Sequence, residues 1–255
     1  MSNLGPLVGW GVVVAASLVA GSGAAAVLRL PARVAAAVTS FGGGVLLAAV
    51  ALELVPDAHE RAGRWLTAVG LLAGTLVYVG ADTWLSRNEE LRSMRRFVHA
   101  AAAGRQLEIS PRTSGVARGE AIAAGLVVDG VPESIALGLT VAEGEIGLAL
   151  LAGILVGNTV EAYGAAQPII AGGRSKRFTL GLLAGIGAAL GVATVLGGAL
   201  LSKANEAFVG SAEAIAAGAV LAVISISIVP YAFSEVSRLV ATATVLGFVG
   251  GYLLS

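Results

Sequence analysis

Residues 121–140 read AIAAGLVVDGVPESIALGLT, and this stretch indicates the fold class of the chain. Its length matches the roughly 20 mainly apolar residues that a helix needs to cross the hydrocarbon core of a bilayer. Two acids, Asp129 and Glu133, lie near its middle. Because charged groups are costly at that depth, an apolar helix that keeps them is typical of a membrane protein with a function inside the bilayer.

The composition of the whole chain also indicates a membrane protein. Of its 255 residues, 56% are hydrophobic and only 13% are charged, whereas soluble domains carry about 25% charged residues. The formal net charge is zero, so charge does not favour a nucleic-acid partner. The chain has no cysteine, which excludes disulfides and thiolate chemistry. Its only histidines, His59 and His99, leave little scope for an imidazole-rich metal site.

Eight segments have the length and apolar character of membrane spans, so we predict an all-α polytopic protein with a single transmembrane domain, residues 1–255. The segments are Leu4–Leu28, Val34–Ala58, Trp65–Leu85, Glu120–Thr140, Ile146–Ala171, Phe178–Leu201, Ala212–Phe233 and Val236–Leu254. The first is followed by further spans and lacks a basic region before it, so we expect a true span and not a cleaved signal peptide. The connections are short except for an Arg-rich loop, residues 87–119.

The distribution of basic residues predicts the orientation, because lysine and arginine are retained on the cytoplasmic side. With eight spans, alternate connections lie on the same side of the membrane. All of the 16 basic residues except Arg61, Arg64 and Lys203 then lie on one side. We therefore expect both termini outside and the Arg-rich loop in the cytoplasm.

The polar residues of the fourth and fifth spans form the strongest candidate site. Asp129 and Glu133 are four residues apart, and Asn158 and Glu161 are three apart, so each pair shares a helix face. If the two helices present these faces to each other, three carboxylates and an amide meet. Each charge costs about 2.5–3.5 kcal/mol on insertion scales, and these spans contain no lysine or arginine. We therefore expect protons or a bound cation to neutralise the carboxylates.

Pro132 favours a cation, because its ring and missing N–H should free the carbonyl of Val128 as a further oxygen ligand beside Asp129. The alternative is a proline kink with a carboxyl hydrogen bond that only holds two helices together.

Other polar positions give weaker signals. Glu53 and Asp57, in the run ELVPD, and Ser227, in the related run SIVP, are candidate entrance or path residues. Snorkelling to the interface explains Glu53 equally well, and a solvated helix end explains Asp57. Glu213 is interpreted as a solvated or capping residue near an interface. The glycines of the sixth span are predicted to pack helix against helix; they are Gly181, Gly185, Gly187 and Gly191.

Residues 127–138, VVDGVPESIALG, resemble the fourth-span signature of the ZIP (Zrt/Irt-like) divalent metal transporters, His-Asn-x-Pro-Glu-Gly followed by small and aliphatic residues. Residues 157–162, GNTVEA, look like the fifth-span motif of that family, and the ELVPD run is similar to its second-span motif. Eight spans, outward termini and a long cytoplasmic loop also match. The resemblance covers essentially the whole chain and is that of a divergent member of the prokaryotic type.

The resemblance implies a secondary transporter that moves zinc, manganese, iron or a similar divalent ion, such as cadmium, across the membrane by alternating access. The ion is the substrate, and no tightly bound cofactor is expected. Glu133 and Glu161 match the two motif glutamates, Asp129 replaces the first motif histidine, and Asn158 occupies the second position of the fifth-span motif.

Three departures from the family pattern remove ligands of a second ion: Gly130, Gly157 and Ser227. We therefore expect one ion in a site of oxygen ligands, which suits harder ions such as Mn²⁺. By the same resemblance, spans one, four, five and six form a moving bundle, while the other four form a scaffold that dimerises. The halves are inverted repeats. The partners are then the lipid bilayer of the plasma or inner membrane, the ion and a second copy of the chain.

Two other functions are open at this point. One is a metal-binding membrane protein without transport, a degenerate relative that acts as a sensor or assembly partner. The other is an intramembrane hydrolase in which Asp129 and Glu161 polarise water. The chain offers no Ser/His pair and no His-Glu-x-x-His motif, so we expect no enzymatic activity and no catalytic residues.

Overall fold

The computed structural model describes residues 4–86, 115–144, 147–171, 173–201, 204–228 and 237–255. The described part of the chain is 94% helical and contains no strands. The all-α prediction is therefore confirmed, and several long apolar helices make the chain a multi-pass membrane protein.

The helices overlap the predicted segments. They are α1 (Leu4–Val27), α2 (Ala32–Ala49), α3 (Val55–Ser86), α4 (Gly115–Glu143), α5 (Leu148–Ala171), α6 (Lys176–Leu201), α7 (Glu206–Val223) and α8 (Ser237–Leu254). The second predicted span, however, ends inside α3, and α7 begins six residues before the predicted Ala212. Two π-helical turns, Val50–Leu54 and Ile224–Ile228, follow α2 and α7. Helix α4 begins at Gly115, so the last residues of the predicted Arg-rich loop are helical, while residues 87–114 lie outside the described part.

Within the described ranges, six helical runs are long and apolar enough to cross a membrane. One of them, Arg33–Trp84, is 52 residues long and contains two of the predicted spans. It is interrupted at Gly63, whose φ of 77° and ψ of 165° are not helical and favour glycine. Helix α8 contributes a shorter apolar run, Arg238–Leu254.

The π turn after α2 has a local cause in Pro56. A proline lacks the N–H of a helical hydrogen bond, and its ring collides with the carbonyl four residues earlier, which here belongs to Leu52. The wider π turn accommodates this, because the N–H of Val55 donates to the carbonyl of Val50, five residues back. The second π turn also ends shortly before a proline in the sequence, Pro230, which lies outside the described residues.

Common capping motifs provide hydrogen-bond partners for backbone groups at the helix ends. Gly173, with a φ of 86°, ends α5 in a Schellman arrangement, in which its N–H donates to Ile170 and that of Arg174 donates to Ile169. Asn205 caps α7, because its side chain accepts a hydrogen bond of 2.8 Å from the N–H of Phe208. Backbone groups at the end of α5 and the start of α7 therefore have hydrogen-bond partners.

The last turn of α1 is capped by side chains from other helices. The ammonium group of Lys176 donates to the carbonyl of Ala26 at 2.6 Å, and the N–H of Leu30 donates to the hydroxyl of Tyr163 at 2.8 Å. Orphan carbonyls at a helix C-terminus favour a positive group, so Lys176 stabilises this end of α1. The contacts fix the positions of α5 and α6 relative to α1.

The helices fall into two packing groups. Helices α1, α4, α5 and α6, here called the α1 group, pack mainly on one another. The remaining helices form two pairs, α3 with α7 and α2 with α8, which meet at the two π turns and are together called the α3 group. Helix α2 also packs on α5, which joins the groups.

Small residues allow the close approaches, as expected where the hydrophobic effect adds little between helices. A side chain on Gly74 of α3 would overlap the carbonyl of Ile215, and one on Gly138 of α4 would overlap that of Thr194. In α6, Gly187 and Gly191 pack on Ala15 and Gly11 of α1 as predicted. The prediction is wrong for Gly181 and Gly185, which are exposed and have open space where a side chain would lie.

Large apolar side chains cover the outside of the bundle. Trp65, Leu72 and Trp84 on α3 are 79%, 66% and 70% exposed, and Leu253 on α8 is 75% exposed. Such faces are unfavourable in water and favourable in lipid, so they agree with a bilayer around the bundle.

Candidate functional site

Helix α4 carries the two acids of the fourth span in its buried middle. Asp129 is 2% exposed and Glu133 is 5% exposed. The helix continues through Pro132, so the two carboxylates remain one turn apart on one face and repel each other when both are charged. No lysine or arginine occurs in the sequence between Arg118 and Arg174, which covers the whole of α5 and the buried part of α4.

Asp129 has a hydrogen-bond partner that the sequence did not indicate. The hydroxyl of Tyr78, in α3, donates to Oδ1 of Asp129 at 2.6 Å. Tyr78 is 2% exposed and is among the largest fully buried side chains. The sequence contains one indication of a special role for Tyr78. It lies inside an apolar span, whereas tyrosines of membrane helices concentrate near the interfaces.

Helix α5 places its polar residues on a face directed into the bundle. Asn158 is 4% exposed and lies four residues after Ile154 and seven before Ala165, both of which are fully buried. Glu161 lies on the same side of α5 and is half-buried. Within the described part of the chain, Nδ2 of Asn158 has no hydrogen-bond partner, and neither does Oγ of the buried Ser134, which follows Glu133 in α4. Such orphaned groups are unusual in a folded interior.

The three predicted carboxylate ligands do not form a metal-binding cluster within the described part of the chain. Helices α4 and α5 are in contact, but α4 packs more extensively on α6, and α5 on α1 and α2. Among the described residues, no three Asp, Glu or His side chains lie close enough together to hold a metal ion. The site therefore consists of the carboxylate pair on α4 with its Tyr78 partner, and of Asn158 and Glu161 on the neighbouring helix.

Glu53 lies in the first π turn, and its carboxylate caps the start of α5. Its Oε2 accepts the N–H of Leu150 at 3.4 Å, and a Cβ on Gly147 would lie 2.7 Å from the same oxygen. A negative charge is stabilised at this end of a helix, so burial of Glu53 has a structural explanation besides the entrance role predicted for it. Asp57, one turn further along, is half-buried and close enough to Glu53 for their charges to repel.

Ser227, the third candidate path residue, lies in the second π turn, and its side chain is outside the described part of the structure. His59 and Glu60, at the end of the chain segment before Gly63, are exposed.

Glu213 is not the solvated interface residue that the sequence predicts, so this prediction is wrong. Its side chain is 0% exposed inside the α3–α7 contact, and its Oε2 lies 3.7 Å from Nε of Arg61. The close approach of Gly210 explains the burial, because a Cβ there would lie 2.7 Å from Cβ of Arg61. The chain thus has a second buried acid region, which contains a permanent cation.

In comparisons with known proteins, no family model matches the chain and no curated protein matches it. The similarity to the ZIP transporters therefore rests on the motif residues of the second, fourth and fifth spans.

Proposed function

We propose that the protein is a secondary transporter that carries one divalent metal cation across the membrane past the carboxylates of α4 and α5, and that it is not an enzyme. The observation that carries this proposal is the pair Asp129 and Glu133, buried one turn apart in an apolar helix. Two such charges repel and are poorly solvated, and no lysine or arginine of α4 or α5 lies at their level. A passing cation relieves both costs.

The orphaned polar groups on both helices support the same proposal. Because Nδ2 of Asn158 donates to no acceptor in the described part of the chain, no donated hydrogen bond holds the amide, and its rotation would present Oδ1 to an ion. Ser134, beside Glu133, offers a second uncommitted oxygen. With Glu161, these residues would give a site of oxygen ligands only. Such ligands favour hard ions, so Mn²⁺ is our first choice, and Fe²⁺, Zn²⁺, which also accepts carboxylates, and Cd²⁺ follow.

The architecture that we propose has eight spans. Gly63 divides the run Arg33–Trp84 into two helical segments, each of which we count as a span. The 17 residues of Arg238–Leu254 form the eighth span, whose length of about 26 Å is close to the thickness of the hydrocarbon core. With this count, the basic residues predict outward termini and a cytoplasmic Arg-rich loop in the plasma or inner membrane. The ZIP-like inverted repeats and the homodimer remain part of the proposal.

The two packing groups suggest how an ion would pass. We infer that the α1 group moves against the α3 group in alternating access, with the ion held at the level of Asp129 and Glu133. In this motion, Asn158 and Glu161 would approach the α4 pair when the ion binds and separate when it leaves. The dispersed ligands described above would then correspond to a conformation without substrate.

Uptake of divalent ions into proteoliposomes tests the proposal. We expect saturable flux of at least one of Zn²⁺, Mn²⁺, Fe²⁺ and Cd²⁺ by the wild type, and its loss in Glu133→Ala and Glu161→Ala. The matched control is Glu60→Ala, which removes an exposed acid at the Gly63 turn and should leave flux unchanged. Absence of flux for all four ions, with correctly folded protein, would refute transport.

The second candidate function is metal binding without transport, as a sensor or assembly partner. The departures from the family pattern favour it, because Asp129 stands in place of a motif histidine and Ser227 in place of the seventh-span acid. Equilibrium binding of Mn²⁺ or Zn²⁺ to the detergent-purified protein, with no flux in vesicles, would support this function over transport.

A further inference from the structure

Tyr78 is buried at the contact between the two packing groups. It belongs to α3, which packs mainly on α7, whereas its hydrogen-bond acceptor Asp129 belongs to α4, which packs mainly on α6. The bond joins residues 51 positions apart in the sequence. One side chain of the α3 group therefore holds a carboxylate of the α1 group in place.

The geometry is that of a strong hydrogen bond. The separation of 2.6 Å between the Tyr78 hydroxyl and Oδ1 of Asp129 lies in the range typical of a hydroxyl that donates to a carboxylate. Both side chains are 2% exposed, so water has little access to replace either partner. Loss of the hydroxyl would leave the Asp129 carboxylate without this donor and with more rotational freedom.

The packing around Tyr78 limits its own movement. It forms a buried cluster with Ala219 and Val223 of α7, and Val128, the residue before Asp129, packs against the same cluster. The phenol ring is thus clamped between α7 and α4, and its hydroxyl has a fixed direction. A donor that is held rigidly orients its acceptor, which is how partners of ligating carboxylates act in metal sites.

We propose that Tyr78 is the positioning residue of the ion site: its hydroxyl sets the orientation in which Asp129 meets the cation. This inference rests on the proposed function. Loss of such an outer partner typically weakens metal affinity about 10–100-fold. The effect should appear in the apparent affinity and not in the amount of folded protein, because a phenylalanine ring preserves the packing against α7.

The experiment is Mn²⁺ and Zn²⁺ uptake into proteoliposomes by the wild type, Tyr78→Phe and Tyr163→Phe. Tyr163→Phe is the matched control, because Tyr163 is also a buried tyrosine, but its hydroxyl bonds to the backbone at the end of α1. We expect Tyr78→Phe to raise KM about 10-fold or more with Vmax within about twofold, and Tyr163→Phe to leave KM unchanged. An unchanged KM in Tyr78→Phe would overturn the inference.

A double-mutant comparison separates positioning from a general structural role. If Tyr78 acts through Asp129, Tyr78→Phe adds no further increase of KM to Asp129→Asn. Additive increases, or equal losses of Vmax and thermal stability in Tyr78→Phe, would overturn the inference. A wild type without saturable uptake of either ion would instead refute the proposed function itself, so the two failures are distinguishable.

Discussion

Asp129 and Glu213 are both acids with almost no exposed surface in apolar helices, yet their surroundings differ. Glu213 lies 3.7 Å from the guanidinium of Arg61, a charge that is permanently part of the protein. Asp129 accepts a hydrogen bond from the neutral hydroxyl of Tyr78 and has a second acid, Glu133, one turn away. The first region thus contains its own counter-charge, while the second concentrates negative charge. A resident cation makes a buried acid part of the framework, whereas a concentration of acids suits a cation that comes and goes.

Arg61→Ala should have the largest effect on stability. Removal of one member of a buried ion pair costs about 3–5 kcal/mol, because the other charge stays in the interior and loses that attraction. Arg61 is partly exposed, so we expect the lower part of this range, measured as the free energy of unfolding in detergent. Arg64→Ala, at an exposed neighbouring position, should change stability little. Equal effects of both substitutions would contradict the structural role of the pair.

Added metal should stabilise the protein through the α4 region only. At a concentration of Mn²⁺ 100 times its Kd, the expected gain is about 2.7 kcal/mol. Thermal unfolding with and without Mn²⁺ should show this gain in the wild type and in Arg61→Ala, and not in Glu133→Gln. A gain that disappears in Arg61→Ala instead would locate the ion at the other acid region.

Glu133→Gln should stabilise the metal-free protein while it abolishes uptake. Substitution removes the repulsion between Glu133 and Asp129 and keeps the shape of the side chain, so we expect a gain of about 1 kcal/mol in the absence of metal. The opposite sign is expected for Glu213→Gln, which removes the buried negative charge that lies 3.7 Å from Arg61. Detergent thermal melts of the two variants, measured side by side, test this contrast, and a loss of stability in Glu133→Gln would break it.

Glu53→Gln should have the smallest effect on stability. It decides whether Glu53 only caps the start of α5 or also belongs to the ion path. The charge at the start of α5 contributes about 0.3–1 kcal/mol, and glutamine still offers an oxygen to the N–H of Leu150. We expect this small loss of stability with uptake within about twofold of the wild type. A large loss of uptake at unchanged stability would instead place Glu53 on the ion path.

The helices could be predicted from the sequence because span-length apolar windows are local features. The predicted start of the fifth span at Ile146 lies two residues from the observed Leu148, and both end at Ala171. The shared face of Asp129 and Glu133 follows equally from helix periodicity. These features depend only on neighbours in the chain.

The partners of the buried acids could not be predicted, because they depend on how distant helices pack. Tyr78 is 51 residues from Asp129, and Leu150 is 97 residues from Glu53. The burial of Glu213 likewise requires the close contact at Gly210, which no pattern within α7 specifies. Sequence periodicity gives the face on which a side chain lies, but not which helix covers that face.

The π turn at Val50–Leu54 has a consequence for insertions and deletions. One surplus residue in that turn rotates everything that follows it by about 100° relative to an uninterrupted α-helix. Ala58 and Arg61 contact α7 in the orientation that this rotation gives. The carbonyl oxygen of Ala58 lies 3.1 Å from the position that a Cβ on Gly210 would take. Deletion of a single residue from the turn would restore an uninterrupted α-helix and leave Arg61 directed at Glu213, whereas the same deletion in the regular helix between the turn and Arg61 would rotate Arg61 away by about 100°. The ion pair thus depends on the number of residues in the regular helix around the turn, and a one-residue deletion should be best tolerated within the turn itself.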